Sequence, residues 1–310
     1  MASVEDFLKE WRSGATTVEA HTSGSTGDPK IIRLLKSDMI ASAEATNSFF
    51  GINHDSTLAL PLSVDYIAGK MMAVRSEVAG CRLVAMPVSN HVVVEEPADL
   101  MSVVPTQLDS LFQQANAPSL IRNLLIGGAP LSAGYEKLLV EKGYNAWLGY
   151  GMTETCSHVA IRRVGEADVF RAMPGISFSC DDRGCLVIHS ARFSWKTITT
   201  NDVVDLQSPE SFRWLGRYDN VVNSGGVKLH PELLEKSIRS LFRELPPFYL
   251  AGEPDPRLGQ RLVMVMENPP EGILEKIRAR LSDGKTAPKR LVAVEALPRT
   301  ANGKVKRIVP

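Results

Sequence analysis

Apolar positions along the first 150 residues form two alternating kinds of run. Short, nearly continuous ones read as buried strands: "TLALPL" at 57–62, "RLVAMPV" at 82–88, the start of "IRNLLIGGAPLS" at 121–132, and "NAWLGYGMTE" at 145–154. Between them the spacing turns helical. Met39, Ile40, Ala43, Thr46, Asn47 and Phe50 predict a helix over 38–50, and "YIAGKMMAVRSEVAG" predicts another that Gly80 ends. "PADLMSVVPTQLDSLFQQ" at 97–114 reads as two helical pieces split by Pro105, and a further helix is expected to run through Lys142. Strands alternating with helices predict an α/β fold for this part.

After about residue 175 the texture changes. "GCLVIHS", "TITTNDVVDL" and "FRWLGRYDNVVN" read as short strands rich in β-branched and aromatic residues. "HPELLEKSIRSLFRELPP" predicts an amphipathic helix with Leu233, Leu234, Ile238, Leu241 and Phe242 on one face and Pro231 in its first turn. A strand "RLVMVME", a helix "EGILEKIRARLS" and a strand "RLVAVEAL" complete the pattern. The expected organisation is a large α/β domain over 1–218 and a small α+β domain over 219–310, of a size that can fold independently.

Lys plus Arg and Asp plus Glu each total 35, so the formal charge is zero and the basic excess that nucleic-acid binding needs is missing. Cys81, Cys156, Cys180 and Cys185 form no C-x-x-C pair, which argues against a zinc ribbon or a thioredoxin-type site. "MASVEDFLKEWRSG" lacks the apolar core of a signal peptide, and no run has the length of a membrane span. These features predict a cytoplasmic protein without membrane insertion; a homo-oligomer stays open.

"HTSGSTGDPK" at 21–30 raises the question of chemistry. It is not a Walker loop: counting from Gly24, Pro29 stands where the second glycine belongs, and Ile31 follows Lys30. "KIIRLL" after it reads as a strand, so the run is expected between two strands. Backbone N–H groups at Gly24 and Gly27, the hydroxyls of Thr22, Ser23, Ser25 and Thr26, and the Lys30 ammonium can still hold phosphate; a plain Ser/Gly loop is the alternative.

Four later stretches accompany this run in order: "IGGAP" at 126–130, "GYGMTET" at 149–155, "TND" at 200–202 with "GRYDNVVNSGGVKLHPELLE" at 216–235, and "LPRTANGK" at 297–304. With them the chain resembles the acyl-adenylate-forming superfamily, which includes acyl-CoA and aryl-CoA synthetases, luciferases and peptide-synthetase adenylation domains. Its wording "YGMTETCSHVA" is most similar to the o-succinylbenzoate–CoA ligase subgroup. The resemblance departs from the family in two places. Only about twenty residues precede the phosphate run, where the family has far more, and Asn201 stands where glycine is usual.

What the resemblance implies is an ATP-dependent ligase that joins a small-molecule carboxylic acid to CoA through an acyl-adenylate, with Mg²⁺. Thr22–Lys30 would hold the β- and γ-phosphates, Thr153 the α-phosphate, and Glu154 the metal. Tyr150 would stack on adenine beside Gly127, Gly128, Ala129 and Pro130, with Gly151 and Met152 completing the motif. Asp202 would accept from the ribose hydroxyls, and Arg217 would contact ribose or phosphate. Lys304 would bridge the attacking carboxylate and the α-phosphorus. Asp219 would be a hinge, and Gly225, Gly226 and Lys228 would lie on the CoA path; a simple tight turn is the alternative for "SGG". Tyr66, Lys70, Arg75, Ser157 and His158 are candidates for the acyl pocket, Lys70 or Arg75 for pairing a second carboxylate. Competing readings are another aryl- or acyl-CoA ligase, an enzyme that loads a carrier-protein thiol, and a non-catalytic nucleotide-binding homologue.

Overall fold

Ser3 caps the first helix, α1 (Val4–Arg12), its hydroxyl accepting from the Asp6 amide at 3.1 Å, which satisfies one of the open N–H groups at a helix start. Lys36 closes the other end: its Nζ lies 3.2, 2.7 and 3.0 Å from the carbonyls of Glu10, Trp11 and Ser13, where a cation is favoured. The computed structural model describes residues 3–21, 31–242, 244–281, 284, 286–299 and 305–310. β1 (Thr17–His21) and β2 (Ile31–Leu35) pair antiparallel, from Thr17 opposite Leu35 to His21 opposite Ile31. The glycine- and hydroxyl-rich run therefore joins two paired strands; Thr22, Ser23, Gly24, Ser25, Thr26, Gly27 and Lys30 themselves lie outside the described residues.

In α2 (Lys36–Phe50) Met39, Ala43, Thr46, Asn47 and Phe50 are buried as the spacing predicts. Ile40 is the exception and is exposed; it follows Met39 and so sits about 100° around the helix from that face. β3 (Thr57–Leu60), α3 (Ile67–Ala79), β4 (Arg82–Ala85), β5 (Leu100–Val103), α4 (Leu108–Phe112), α5 (Ala117–Leu120), β6 (Leu124–Ile126), α6 (Ala133–Glu141) and β7 (Ala146–Gly151) follow. Gly80 ends α3 in the left-handed region, φ 65°, as its position predicts. The helix expected before Pro105 is instead strand β5. All four of its residues are buried, because it lies between β3 and β6, and a strand covered on both faces carries a continuous apolar run rather than an alternating one.

Within this part β4, β3, β5, β6 and β7 are parallel neighbours in that order. β8 (His158–Arg163) and β9 (Phe170–Ala172) then add antiparallel. Parallel pairing matters for function: β6 and β7 run the same way, so Gly127 and Gly151 leave the sheet at the same edge, where ligands bind in open α/β sheets.

The chain divides into two compact units: Met1–Phe178 with Ile188–Ile198 and Gln207–Phe212, and Ser179–Val187 with Thr199–Leu206 and Arg213–Pro310. β10 (Ile176–Cys180), β11 (Cys185–Ser190), β12 (Thr197–Ser208) and β13 (Ser211–Arg217) carry residues of both. The second unit thus contains all of 219–310 but also takes in earlier segments, so its border does not coincide with the boundary expected at 219.

The second unit is built on β14 (Val222–Ser224), β15 (Val227–Leu229), α7 (Pro231–Leu241), β16 (Phe248–Asp255), β17 (Gly259–Glu267), α8 (Ile273–Arg280) and β18 (Arg290–Val294). Alternation in its central strands serves two layers. Phe248, Leu250, Leu262, Met264 and Met266 pack with Ile238 of α7 and Ile273 and Ile277 of α8. Tyr249, Ala251 and Val265 pack with Leu297, Val305 and Val309 of the C-terminal segment. On α7, Ile238 is fully buried, whereas Leu233 and Leu241 are exposed. β16 has no counterpart among the predicted elements, although it pairs with β17 over its whole length, Phe248 opposite Met266 to Asp255 opposite Gly259. Among the described residues no helix is long and apolar enough to cross a membrane.

Candidate active site

Two glycine turns shape the sheet edge of the first unit. After buried β6, Gly127 to Pro130 are half-buried or exposed. A Cβ on Gly127 would meet nothing within 4 Å, and Gly128 has φ 82°, so flat backbone there is open to a ligand face. After β7, Gly151 admits no side chain: a Cβ would lie 2.1 Å from the Ser157 carbonyl oxygen. The β7–β8 register shifts between Tyr150 and Gly151, and a short 3-10 turn, Thr153–Thr155, bridges the two strands.

Thr155, which sequence reasoning passed over, braces this bridge. Its hydroxyl accepts from the Met152 amide at 2.9 Å and lies 2.9 and 2.7 Å from the carbonyls of Met152 and Ser157. Thr153 is buried, while Glu154 is exposed. Cys156 closes the turn at φ 64°, ψ −40°, a conformation that a non-glycine residue keeps only when its surroundings enforce it. Burial pushes its thiol up to about 12, so it stays protonated. Tyr150 is half-buried, its ring 5.1 Å from Phe212 edge-on and 5.8 Å from Phe170.

The five pocket candidates part company. Tyr66 precedes α3 and is half exposed. Lys70 is buried but turns to α1, its Nζ 4.5 Å from the centre of the Phe7 ring, and burial lowers its pKa. Arg75, Ser157 and His158 do meet. Arg75, only 2% exposed, donates from Nη2 to Ser157 Oγ at 2.6 Å. Ser157 Oγ lies 3.2 Å from His158 Nδ1, and His158 Nε2 lies 3.3 Å from Thr46 Oγ1.

Proton inventory fixes the direction of this chain. Thr46 gives its proton to the Ser42 carbonyl at 3.0 Å, so it accepts from His158 Nε2–H. His158 Nδ1 then accepts from Ser157, whose other side accepts from Arg75. The ring is neutral in this arrangement. Burial, reinforced by the Arg75 charge, lowers its pKa to about 3. Burial alone lowers Arg75 to about 9, and its Nε has no partner among the described residues. Asn47, whose side chain holds the Arg75 carbonyl at 3.0 Å, was read from the sequence only as a helix-face residue.

In the second unit, Asp202 is buried and accepts from Trp214 Nε1 at 3.2 Å. Arg217 reaches both acidic candidates, 3.8 Å from Asp202 and 3.1 Å from Asp219. Asn201, the departure from the family wording, accepts from Arg183 at 3.1 Å and lies 3.5 Å from Asp219. Gly225 and Gly226, at φ 57° and 80°, form the two-residue turn between β14 and β15, a connection that requires two positive φ values. Lys228 is exposed beyond it. Lys304 lies outside the described residues. Among the described residues no cluster of three or more His, Cys, Asp or Glu could hold a metal by itself.

A model of the AMP-binding enzyme family matches residues 13–181. A solved acyl-CoA synthetase (AMP-forming)/AMP-acid ligase II-like protein from Dyadobacter fermentans is 33% identical, with a TM-score of 0.66, over 98% of this chain and 91% of that one. A probable 2-succinylbenzoate–CoA ligase of Mycobacterium tuberculosis is 29% identical over 92% of this chain and 81% of its own length. A long-chain-fatty-acid–CoA ligase of the same organism is 24% identical over 93% of this chain, which spans 66% of that relative's length.

Proposed function

The chain belongs to the AMP-binding enzyme family, and from that premise we propose that it is an ATP-dependent acid–CoA ligase acting through an acyl-adenylate, with o-succinylbenzoate as the acid. One observation carries the reading. Parallel strands β6 and β7 end in Gly127–Pro130 and Gly151–Glu154 on a single sheet edge, which offers bare backbone beside a buried threonine and an exposed carboxylate.

A carboxylate becomes reactive toward a thiol once it carries AMP as leaving group. The protein must offset phosphate charge, align the acid and exclude water. Gly127–Pro130 and Tyr150 would flank the adenine, and Thr153 would donate to the α-phosphate. Asp202 would accept from the ribose, with Arg217 beside it. Thr22–Lys30 would hold the outer phosphates, and Lys304 would offset charge between the attacking carboxylate and phosphorus. The donor set suits magnesium: Glu154 is one exposed carboxylate with no protein cage among the described residues, and Mg²⁺ takes its remaining ligands from phosphates and water. When bound, the ion would offset phosphate charge.

For the second half-reaction Asp219 would serve as hinge, and Gly225, Gly226 and Lys228 would line the CoA path. The acid is read from Arg75. A buried cation with an unsatisfied Nε favours an acid bearing a second carboxylate over an alkyl chain, since a buried charge is stable only when paired. Ser157 and His158 would orient that guanidinium; Tyr66 would border the pocket, and Lys70, turned to Phe7, is assigned no contact. The test is AMP release with a panel of acids, with and without CoA. A preference for o-succinylbenzoate supports the reading, and activity confined to fatty acids rejects it. Competition between CoA and a carrier-protein thiol separates the two acceptors. Lys304→Ala is expected to abolish pyrophosphate exchange while ATP still binds; surviving exchange overturns the role given to Lys304.

A further inference from the structure

The carboxylate assigned above to the ribose sits in a stretch of strand that is held at several points. Asp202, in β12, is buried, only 7% exposed. Its amide donates to Thr200 Oγ1 at 3.0 Å, and that hydroxyl gives its own proton to the Leu186 carbonyl at 2.9 Å. Arg183 grips the same stretch, its Nη1 donating to Asn201 Oδ1 at 3.1 Å and its Nη2 to the Thr200 carbonyl at 3.3 Å. Its Nε donates in turn to Asp181 at 2.9 Å. These bonds fix the backbone at Asp202; they do not aim its side chain.

That task falls to Trp214, on the neighbouring strand β13, whose Nε1 donates to Asp202 Oδ1 at 3.2 Å. Indole is neutral and carries one donor in a rigid plane, so it fixes where a carboxylate oxygen lies without offsetting its charge. Arg217 differs in both respects. Its Nη1 stands 3.8 Å from the same oxygen, beyond hydrogen-bond distance, and its Nη2 donates to Asp219 at 3.1 Å. Trp214 is itself half-buried. An apolar side chain would fill such a position as well, whereas an indole brings an N–H that needs an acceptor. Here the acceptor is the proposed ribose-binding group.

We propose that Trp214 is a positioning residue for nucleotide recognition: its indole N–H holds the Asp202 carboxylate in the orientation that accepts from the ribose hydroxyls. This deepens the reading above and rests on the role given there to Asp202. A carboxylate accepts at both oxygens, with about four lone-pair sites in all, so one bond from an indole is compatible with ribose hydroxyls donating to the same group. Without that bond the carboxylate is expected to turn toward the Arg217 guanidinium, a charged donor that competes with the ribose for the same oxygens.

The experiment measures, by calorimetry on the full chain, the binding of ATP and of 2′,3′-dideoxy-ATP, which lacks both ribose hydroxyls. Wild type is expected to prefer ATP about 100-fold, as two hydroxyls donating to a carboxylate would give. Trp214→Phe keeps an aromatic ring and loses the N–H. It should weaken ATP about 10-fold and leave dideoxy-ATP within about twofold, so that the preference shrinks. Lost packing alone would weaken both nucleotides equally. Trp214→Met carries the same expectation and serves if Trp214→Phe does not fold. Equal weakening of both nucleotides, or a preference within about twofold of wild type, overturns the proposal. Asp202→Ala run in parallel distinguishes the failures. If wild type binds both nucleotides alike, or Asp202→Ala keeps the preference, the reading of Asp202 falls; if Asp202→Ala loses the preference while Trp214→Phe keeps it, the role of Trp214 alone falls.

Discussion

Acid is expected to weaken the first unit through one histidine. The His158 ring is held neutral between Ser157 and Thr46, and the charged group that faces it is the Arg75 guanidinium. Its pKa of about 3 in the folded chain lies below the 6.5 of an unfolded chain. The unfolded state therefore binds the proton first as pH falls, so the contribution is complete above 6.5 and is lost progressively between 6.5 and about 3. With 1.36 kcal/mol per unit of pKa difference, moving from pH 7 to pH 5 costs roughly 2 kcal/mol. Urea unfolding at both pH values, compared between wild type and His158→Gln, isolates this from the smaller depression at His230, which burial also lowers. The variant should lose about 2 kcal/mol less than wild type over that interval. Nitrogen NMR of the ring should show an Nε2–H tautomer that does not titrate above pH 5. Equal acid losses in both proteins, or a ring that titrates near 6.5, would refute the proton inventory.

Other outcomes follow from the same geometry. Arg75→Met removes a buried charge that faces no carboxylate among the described residues, so thermal stability should rise by about 1–3 kcal/mol while KM for o-succinylbenzoate rises about 100-fold; a raised melting temperature with unchanged KM would exclude Arg75 from substrate recognition. Gly151→Ala drives a methyl against the Ser157 carbonyl and should cost about 3 kcal/mol in denaturant unfolding; a loss under about 1 kcal/mol would show that the turn yields. Gly226→Val places a β-branched residue at φ 80° and should destabilise the second unit by about 1–2 kcal/mol, with Gly226→Asn milder, as followed by hydrogen exchange at β14 and β15.

Much of the parallel sheet was legible because its strands are short apolar runs closed by proline or glycine. Gly80 ends its helix as read, and the β6 and β7 turns fall where "IGGAP" and "GYGMTE" place them. The reading failed where burial hid the period. β5 is apolar on both faces and resembles a helix segment until its neighbours β3 and β6 are known. β16, with proline and glycine among its apolar residues, shows its strand character through pairing with β17.

The candidate residues divide in the same way. Resemblance to the family's motifs singled out Gly127–Pro130, Thr153 and Asp202, each of which stands in a short span of sequence. The family resemblance made Lys70 and Arg75 equal candidates, and packing separated them: one turns to Phe7 and the other to Ser157. Arg307 pairs with Glu235, 72 positions earlier, a partner that no local span of sequence shows. Sequence thus determined which chemical groups are present and which elements carry them, since propensity and turn geometry act over a few residues. Which buried charge faces which partner was decided by the tertiary structure, because desolvation and pairing depend on groups that only folding brings together.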